Sequence, residues 1–103
     1  MAEFVKAIAK ADLTAGHGVM VELQGKKIAI FNEDGAFYAM DDTCTHAGGP
    51  LSEGELDGTV VTCPWHGATF DVKTGGVHGP PASDGVRSYE VRIEGEDVLI
   101  NVG

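Results

Sequence analysis

The stretch from Cys44 to Gly67 reads CTHAGGPLSEGELDGTVVTCPWHG, and it decides how the rest of the chain is interpreted. It carries one cysteine and one histidine at each end, in the motifs Cys44-Thr45-His46 and Cys63-Pro64-Trp65-His66, which are sixteen residues apart. Thiolates and imidazoles are ligands for soft and borderline metals, so the pattern indicates a four-ligand metal site shared by two loops. The β-branched run Thr59–Thr62 between them would bring the two loops face to face.

Three interpretations compete at this point. A structural zinc site also accepts two cysteines and two histidines, but it usually pairs like ligands along the chain, whereas each motif here mixes them. A Rieske cluster of the 2Fe–2S type has two histidines in place of two cysteines on one iron, which matches one Cys and one His per loop. The third possibility is that the two cysteines are buried thiols and the histidines are unrelated to them. Cysteine rarely lies beside histidine twice by chance in loops flanked by glycine and proline.

Composition bounds the class of protein. The chain has 103 residues, enough for one domain, and its 43% hydrophobic content excludes wholesale disorder. A net charge of −9 argues against nucleic acid or an anionic membrane as partner, and no apolar run approaches the ~18 residues of a membrane span. Residues 1–13 mix charged with apolar residues, unlike a signal peptide. Two cysteines allow at most one disulfide, so we expect a reducing, cytoplasmic compartment.

The rhythm of the chain predicts an all-β fold. Fifteen glycines separate short apolar segments, and Val19, Val21 and Leu23 alternate with Met20 and Glu22. Gln24-Gly25 and Asp34-Gly35 are typical of tight hairpin turns. No segment has a sustained helical stripe. The strands are expected around residues 4–8, 19–23, 28–31, 36–40, 59–62, 68–72, 89–93 and 98–102, with possible helical turns near 10–13 and 50–53. Residues 44–85 break the rhythm with long Gly/Pro-rich loops, which are usually functional.

The two motifs resemble the cluster loops of Rieske-type ferredoxins. The similarity extends to Asp71–Gly75 and to Gly79-Pro80-Pro81, which resembles the proline loop that covers the cluster in that family. The resemblance implies that Cys44 and Cys63 bind the inner iron and that His46 and His66 bind the outer one. It also implies small antiparallel sheets forming a base, with an inserted cluster-binding subdomain at roughly residues 42–82 of a single 1–103 domain.

Departures from the respiratory members of the family predict a low reduction potential. Those proteins join their two loops by a disulfide, whose positions here match Gly49 and Trp65. They also donate hydroxyl hydrogen bonds to sulfur from positions that match Ala68 and Phe70, neither of which has a hydroxyl. We therefore expect a potential of about −150 mV, at the low end of the Rieske range. Gly67, like Gly49, is expected to allow close approach of the backbone to the cluster.

The function implied by the resemblance is one-electron transfer. The chain would be the ferredoxin component of a multicomponent ring-hydroxylating oxygenase in aromatic hydrocarbon catabolism. It would itself catalyse nothing and would relay electrons from a flavin-dependent NAD(P)H reductase to a terminal non-heme iron oxygenase. The alternative is an accessory subunit resembling the small subunit of nitrite reductase. A terminal oxygenase would need a further catalytic domain, for which 103 residues leave no room. We expect a monomer, although the sequence does not fix the oligomeric state.

Charge suggests how partners would be recognised. Between residues 28 and 72 there is no lysine or arginine but eight acidic residues, which predicts an acidic zone near the cluster that steers basic partners. The eight are Glu33, Asp34, Asp41, Asp42, Glu53, Glu55, Asp57 and Asp71. Trp65 is expected to pack under the second loop rather than to face a partner. His78 is expected to be a loop residue, and His17 is expected to be an exposed turn residue.

Overall fold

The computed structural model describes residues 2–44, 48–65, 67–79 and 85–103, which form three antiparallel sheets. The elements are β1 Phe4–Ala9, 3₁₀ turn η1 Lys10–Asp12, β2 His17–Leu23, β3 Lys26–Glu33, β4 Ala36–Asp41, 3₁₀ turn η2 Leu51–Glu53, β5 Glu55–Asp57, β6 Val60–Thr62, β7 Thr69–Asp71, β8 Val77–Gly79, β9 Ser88–Tyr89, β10 Val91–Glu94 and β11 Asp97–Asn101. The strand orders in the three sheets are β1-β11-β10, β2-β3-β4-β9 and β5-β6-β7-β8.

Two tight hairpins build the central sheet. β2 pairs with β3 from His17↔Asn32 to Leu23↔Lys26, and β3 pairs with β4 from Ile28↔Asp41 to Glu33↔Ala36. Both connections have two residues with positive φ, as type I′ turns require. They are the turns that the sequence predicts at 24–25 and 34–35. The short loops fix the register of all three strands. This register sets the position of Asp41 at the end of β4, and Cys44 follows three residues later.

Strand β3 separates two apolar cores because both of its faces are buried. Ile28 and Ile30 point into a core shared with the β1-β11-β10 sheet, where they meet Val98 and Ile100. The alternate residues, including Phe31, point into a second core on the opposite face. A strand buried on both sides needs a continuous apolar run, and Ile28–Phe31 provides one. We call the two sheets around the first core the base.

The second core lies beneath the loops that carry the cysteines. Besides Phe31 it contains Leu51, Val61, Phe70 and both cysteines, all buried. The four strands above it, β5 to β8, have only three residues each. We call this the site sheet. Its connection to the base runs through η2 and an isolated bridge between Thr43 and Pro50.

The all-β prediction is confirmed, and seven of the eight predicted strands match single strands of the structure. The strand predicted at 89–93 is in fact two, β9 and β10, which belong to different sheets. The 3₁₀ turns η1 and η2 occupy the two segments where helical turns were considered possible. The sequence analysis missed β5 and β8, because each has three residues of which one is apolar, whereas the equally short β6 lies in a β-branched run. Within the described ranges, no helix is long and apolar enough to cross a membrane.

Candidate metal centre

The two cysteine loops share one backbone arrangement. In the first, the Cys44 amide donates to the Gly49 carbonyl at 2.9 Å, and the Gly48 amide donates to the Cys44 carbonyl at 2.9 Å. In the second, the Cys63 amide donates to the Ala68 carbonyl at 2.7 Å, and the Gly67 amide donates to the Cys63 carbonyl at 3.2 Å. Each loop therefore closes on its own cysteine with the same offsets of four and five residues. We call residues 44–49 and 63–68 the site loops.

Glycine four residues after each cysteine makes this closure possible. Gly48 has φ of 76° and Gly67 has φ of 79°, a backbone region that other residues adopt at a cost. A Cβ at Gly67 would meet nothing within 4 Å, so conformation rather than space selects glycine there. The sequence analysis assigned Gly67 to close approach and missed the repeat, although a glycine at the same offset from both cysteines was a visible signal.

Close approach between the loops occurs at Gly49. A Cβ at this position would lie 2.8 Å from the Cys63 Sγ and 2.9 Å from Cγ of Trp65. The residue that closes the first loop thus touches the thiol of the second. The two loops face each other as the motif spacing predicted, and Gly49 and Trp65 are neighbours, as their match to a disulfide pair in other members of the family implies.

Burial divides the site into a hidden half and an exposed half. Cys44 and Cys63 are each 2% exposed, and both are thiols rather than halves of a disulfide. In contrast, Pro64, Trp65 and Gly67 are exposed at the tip of the second loop. Trp65 is 57% exposed, so the expectation that it packs beneath the loop is wrong. Cγ and Cδ2 of its ring lie close to Gly49, where no Cβ separates them.

Ala68 and Phe70 lie in the core directly behind the second loop. Both are fully buried in the same core as the cysteines. Ala68 also supplies the carbonyl that accepts the Cys63 amide bond. Neither side chain offers a hydroxyl, so this wall of the site is apolar at the two positions highlighted by the sequence.

Several predicted site residues are outside the described part of the chain. These are His46, His66, Pro80 and Pro81. The other two histidines are described, and both are exposed: His17 begins β2, and His78 lies in β8. The exposure of His17 agrees with its prediction, but it belongs to a strand rather than a turn. The expectation that His78 lies in a loop is also wrong, since it belongs to β8.

The predicted acidic zone is not uniform. Asp42 is 5% exposed, and its Oδ1 accepts a 2.8 Å bond from the Ser52 amide, so its role is to hold η2 rather than to attract partners. Glu33 and Asp34 lie at the far end of β4, about 17 Å along the strand from Asp41 at ~3.3 Å per residue. The exposed acidic residues of the site sheet and its leading turn are Glu53, Glu55 and Asp57.

Tyr89, on β9, contacts the last residue of β4 within the base, a contact that the sequence did not predict. Its hydroxyl donates to Asp41 Oδ1 at 2.5 Å, although 48 residues separate the two in sequence. Burial, with the hydrogen bond and the negative charge of Asp41, raises the pKa of Tyr89 from 10.0 to about 12, against a lowering effect of Arg87. The hydroxyl therefore remains a donor throughout the physiological range.

Comparison with known proteins adds the family. Residues 3–90 match the model of the Rieske [2Fe-2S] domain. The chain belongs to the Rieske family. This Rieske ferredoxin is 44% identical over 99 residues to the biphenyl dioxygenase ferredoxin subunit of Pseudomonas sp. strain KKS102, covering 95% of this chain and 91% of the relative.

Solved structures agree with the fold. A chain in the complex of reduced oxygenase and oxidized ferredoxin of carbazole 1,9a-dioxygenase superposes with a TM-score of 0.90 at 35% identity, covering 95% of this chain and 92% of that one. A putative NADH-dependent nitrite reductase small subunit from Mycobacterium tuberculosis gives 0.91 at 23% identity, covering 100% and 97%. At that identity the second likeness concerns the fold alone.

The cofactor of this Rieske ferredoxin is a 2Fe–2S cluster, and its activity is electron transfer rather than catalysis. The described residues fit such a group. Two buried thiols lie on matching loops, with glycine where the loops touch, and they supply the right donor chemistry. The expectations of a Rieske fold and of an electron carrier are thereby confirmed.

Proposed function

We propose that this chain is the ferredoxin component of a ring-hydroxylating dioxygenase system, accepting one electron from a flavin-dependent reductase and delivering it to a terminal oxygenase. The observation that carries the proposal is the pair of matching site loops, which hold buried cysteines beneath an exposed tip. The names of the relatives support the choice of system, since they belong to dioxygenase ferredoxins. When bound, the cluster takes up and releases one electron at a time.

We assign the ligands as Cys44, His46, Cys63 and His66, within a cluster-binding unit at roughly residues 42–82 of a single domain. The burial of Cys44 and Cys63 supports their assignment to the inner iron, because thiolates shielded from water hold their metal most firmly. Trp65 and Gly67, on either side of position 66, are both exposed. This exposure supports a histidine-bearing face turned towards partners, where the path for an electron is short.

The apolar wall formed by Ala68 and Phe70 supports a low potential. Hydrogen bonds to the sulfurs stabilise the extra negative charge of the reduced state, so their loss disfavours reduction. We propose a potential of about −150 mV, near the lower limit of the Rieske range. Such a value suits transfer from a reduced nicotinamide or flavin towards an oxygenase, and it does not suit the oxidation of quinols.

The ligand assignment is tested by iron analysis and electron paramagnetic resonance. Cys44→Ser and His66→Ala should abolish the rhombic signal of the reduced protein and its visible spectrum. His17→Ala and His78→Ala are matched controls, because they remove exposed histidines that we do not assign as ligands. Retention of the full signal in either ligand variant would show that the assignment is wrong. A wild-type protein that is colourless and redox-silent and contains zinc would show that the site does not hold an iron–sulfur cluster.

The electron-transfer role is tested by reconstitution. Purified protein is combined with the reductase and the terminal oxygenase that work with the strain KKS102 relative, and biphenyl-dependent NADH oxidation is measured. Turnover should depend on the added ferredoxin and should vanish with Cys44→Ser. Stable co-purification with a large siroheme-containing subunit, without oxygenase turnover, would favour the nitrite reductase alternative instead.

We also propose that the protein is a cytoplasmic monomer, since transient encounters with two partners in turn require no oligomer. The single-domain length and the reduced cysteines support this proposal. Size-exclusion chromatography with light scattering should give a mass near 10.7 kDa. A dimer that persists at low protein concentration would contradict it.

A further inference from the structure

A groove of about 430 Å³ lies beside the first site loop and belongs to no part of the metal centre. Its walls include Lys26, Lys27, Asp41, Thr43 and Arg87. Thr43 immediately precedes Cys44, so the groove is continuous with the site loops. Lys27, Thr43 and Arg87 are exposed, which leaves the groove open to an approaching surface.

The charge of this groove is opposite to that of the rest of the molecule. The chain has seven basic residues against sixteen acidic ones, and three of the seven line this groove. Of the four basic residues outside the groove, two pair with carboxylates, Lys6 with Asp97 at 3.3 Å and Arg92 with Glu94 at 3.8 Å. Within the described residues, Lys26, Lys27 and Arg87 form no ion pair with a carboxylate side chain. Three basic side chains gathered in one groove of a chain of net charge −9 favour an anionic group from outside.

The one carboxylate of the groove is already engaged. Asp41 accepts the hydroxyl of Tyr89 at 2.5 Å rather than pairing with a lysine or the arginine. The Tyr89 ring also supports Arg87, whose guanidinium carbon lies 4.7 Å from the ring centroid. Arg87 Nη2 donates to the Gly103 carbonyl at 3.4 Å. The arginine is thus held in place before any partner arrives, which lowers the entropic cost of binding.

Backbone bonds tie the groove to the metal centre. The Asp41 amide donates to the Arg87 carbonyl at 2.9 Å, and the Asp42 amide donates to the Lys27 carbonyl at 3.0 Å. The two segments that carry the basic side chains are therefore fixed to the segment that enters the first site loop. A partner that binds the groove is oriented relative to the cluster without touching it.

We propose that Lys26, Lys27 and Arg87 form a basic docking groove that receives a carboxylate-rich segment on the surface of an electron-transfer partner. This inference rests on the proposed function, because it requires a protein partner. Charge complementarity and continuity with the site loops favour this occupant over a small free anion. In a molecule that otherwise repels acidic surfaces, one local basic groove fixes the orientation of the encounter complex.

The first test uses a fluorescein-labelled peptide of six glutamates, titrated at low ionic strength into the cluster-loaded protein. Fluorescence anisotropy should report saturable binding that Lys27→Glu weakens about tenfold. Lys73→Glu is the matched control, since it makes the same charge change at another exposed lysine, outside the groove. Carbodiimide coupling followed by peptide mapping should join the peptide to Lys26 or Lys27. An unchanged visible spectrum shows that each variant is folded.

The second test uses the reconstituted dioxygenase system. Lys27→Glu should raise the KM for ferredoxin about tenfold with kcat changed less than about twofold, since a charge at the rim of an interface acts on association. Lys73→Glu should leave both within about twofold. Addition of salt should reduce the difference in KM between the two variants, because salt screens the charge interaction.

Each contrary outcome has a separate meaning. Equal peptide binding by the two variants, or coupling only outside the groove, overturns the groove proposal whatever the enzymes do. Competition by inorganic phosphate at the same site with equal strength shows a small-anion site and overturns the protein occupant. A dimer that Lys27→Glu dissociates makes a second copy the occupant and also overturns it. Failure of the wild type to support turnover, with peptide binding intact, counts against the proposed function alone.

Discussion

The base and the site sheet both consist of antiparallel strands, but they are stabilised differently. In the base, β2 and β3 have seven and eight residues, and tight turns join the hairpins of the central sheet. The strands of the site sheet have three residues each, and the core beneath them includes both cysteines. Long ladders and aliphatic burial suffice for the base. The site sheet has short ladders, so we expect its stability to depend on the cluster that we assign to Cys44 and Cys63.

Removal of the cluster is the strongest test of this difference. In Cys44→Ser, the amides of the site sheet, such as Val61 and Phe70, should lose hydrogen-exchange protection by about 100-fold or more, because metal binding supplies folding energy to the unit that holds the metal. Amides of the base, such as Ile30 and Ile100, should change much less. Equal loss of protection in both regions would show that the chain is one cooperative unit and that the comparison is misleading.

Substitution of a crowded glycine tests how poorly the site sheet accommodates an added methyl group. A Cβ on Gly54 would lie only 2.1 Å from the Thr62 carbonyl oxygen, which is backbone and has no easy way to move. Gly54→Ala should cost about 3 kcal/mol, a fall in the thermal midpoint of about 12 °C or more by circular dichroism.

Gly25→Ala is the matched control in the base. A Cβ at Gly25 meets nothing within 4 Å, and only its φ of +78° opposes the change. It should cost about 1 kcal/mol, or about 4 °C. Iron content should fall with Gly54→Ala and remain constant with Gly25→Ala. A smaller effect at Gly54 than at Gly25 would mean that the site sheet shifts easily.

A single hydroxyl should change the potential without changing the fold. Ala68→Ser places a donor in the apolar wall behind Cys63, where it can stabilise the reduced state. A hydrogen bond that is about 1.4 kcal/mol stronger in the reduced state raises a one-electron potential by about 59 mV. Ala39→Ser, at a buried alanine of the base core, should leave the potential unchanged. If both variants shift it equally in a redox titration, the effect is not local to the site.

The same contrast explains what the sequence could predict. The turns at Asp34-Gly35 and Gln24-Gly25 have local signatures, so the base hairpins were predictable from short stretches. The cysteine and histidine motifs are also local, and they were sufficient to predict the cofactor. The sequence analysis missed contacts between distant residues: Asp42 bonded to Ser52, Tyr89 bonded to Asp41, and the gathering of Lys26, Lys27 and Arg87. Charge counted along the chain suggested an acidic zone, because the basic residues come from outside the segment that was counted.

The contact between Tyr89 and Asp41 gives the smallest effect and tests the end of the base that leads into the first site loop. Tyr89→Phe removes the hydroxyl that Asp41 accepts, and it should cost about 1 kcal/mol at pH 8, or about 4 °C in the thermal midpoint. Because the pKa of Tyr89 is raised to about 12, the folded state holds this proton more tightly than the unfolded state, whose pKa is near 10.0. The stabilisation is therefore complete below pH 10 and is lost as the pH rises towards 12. Thermal midpoints measured from pH 8 to 12 should fall more steeply in the wild type than in Tyr89→Phe, so that the two curves converge. Parallel curves would show that the folded state does not hold the Tyr89 proton more tightly than the unfolded state, which contradicts the prediction.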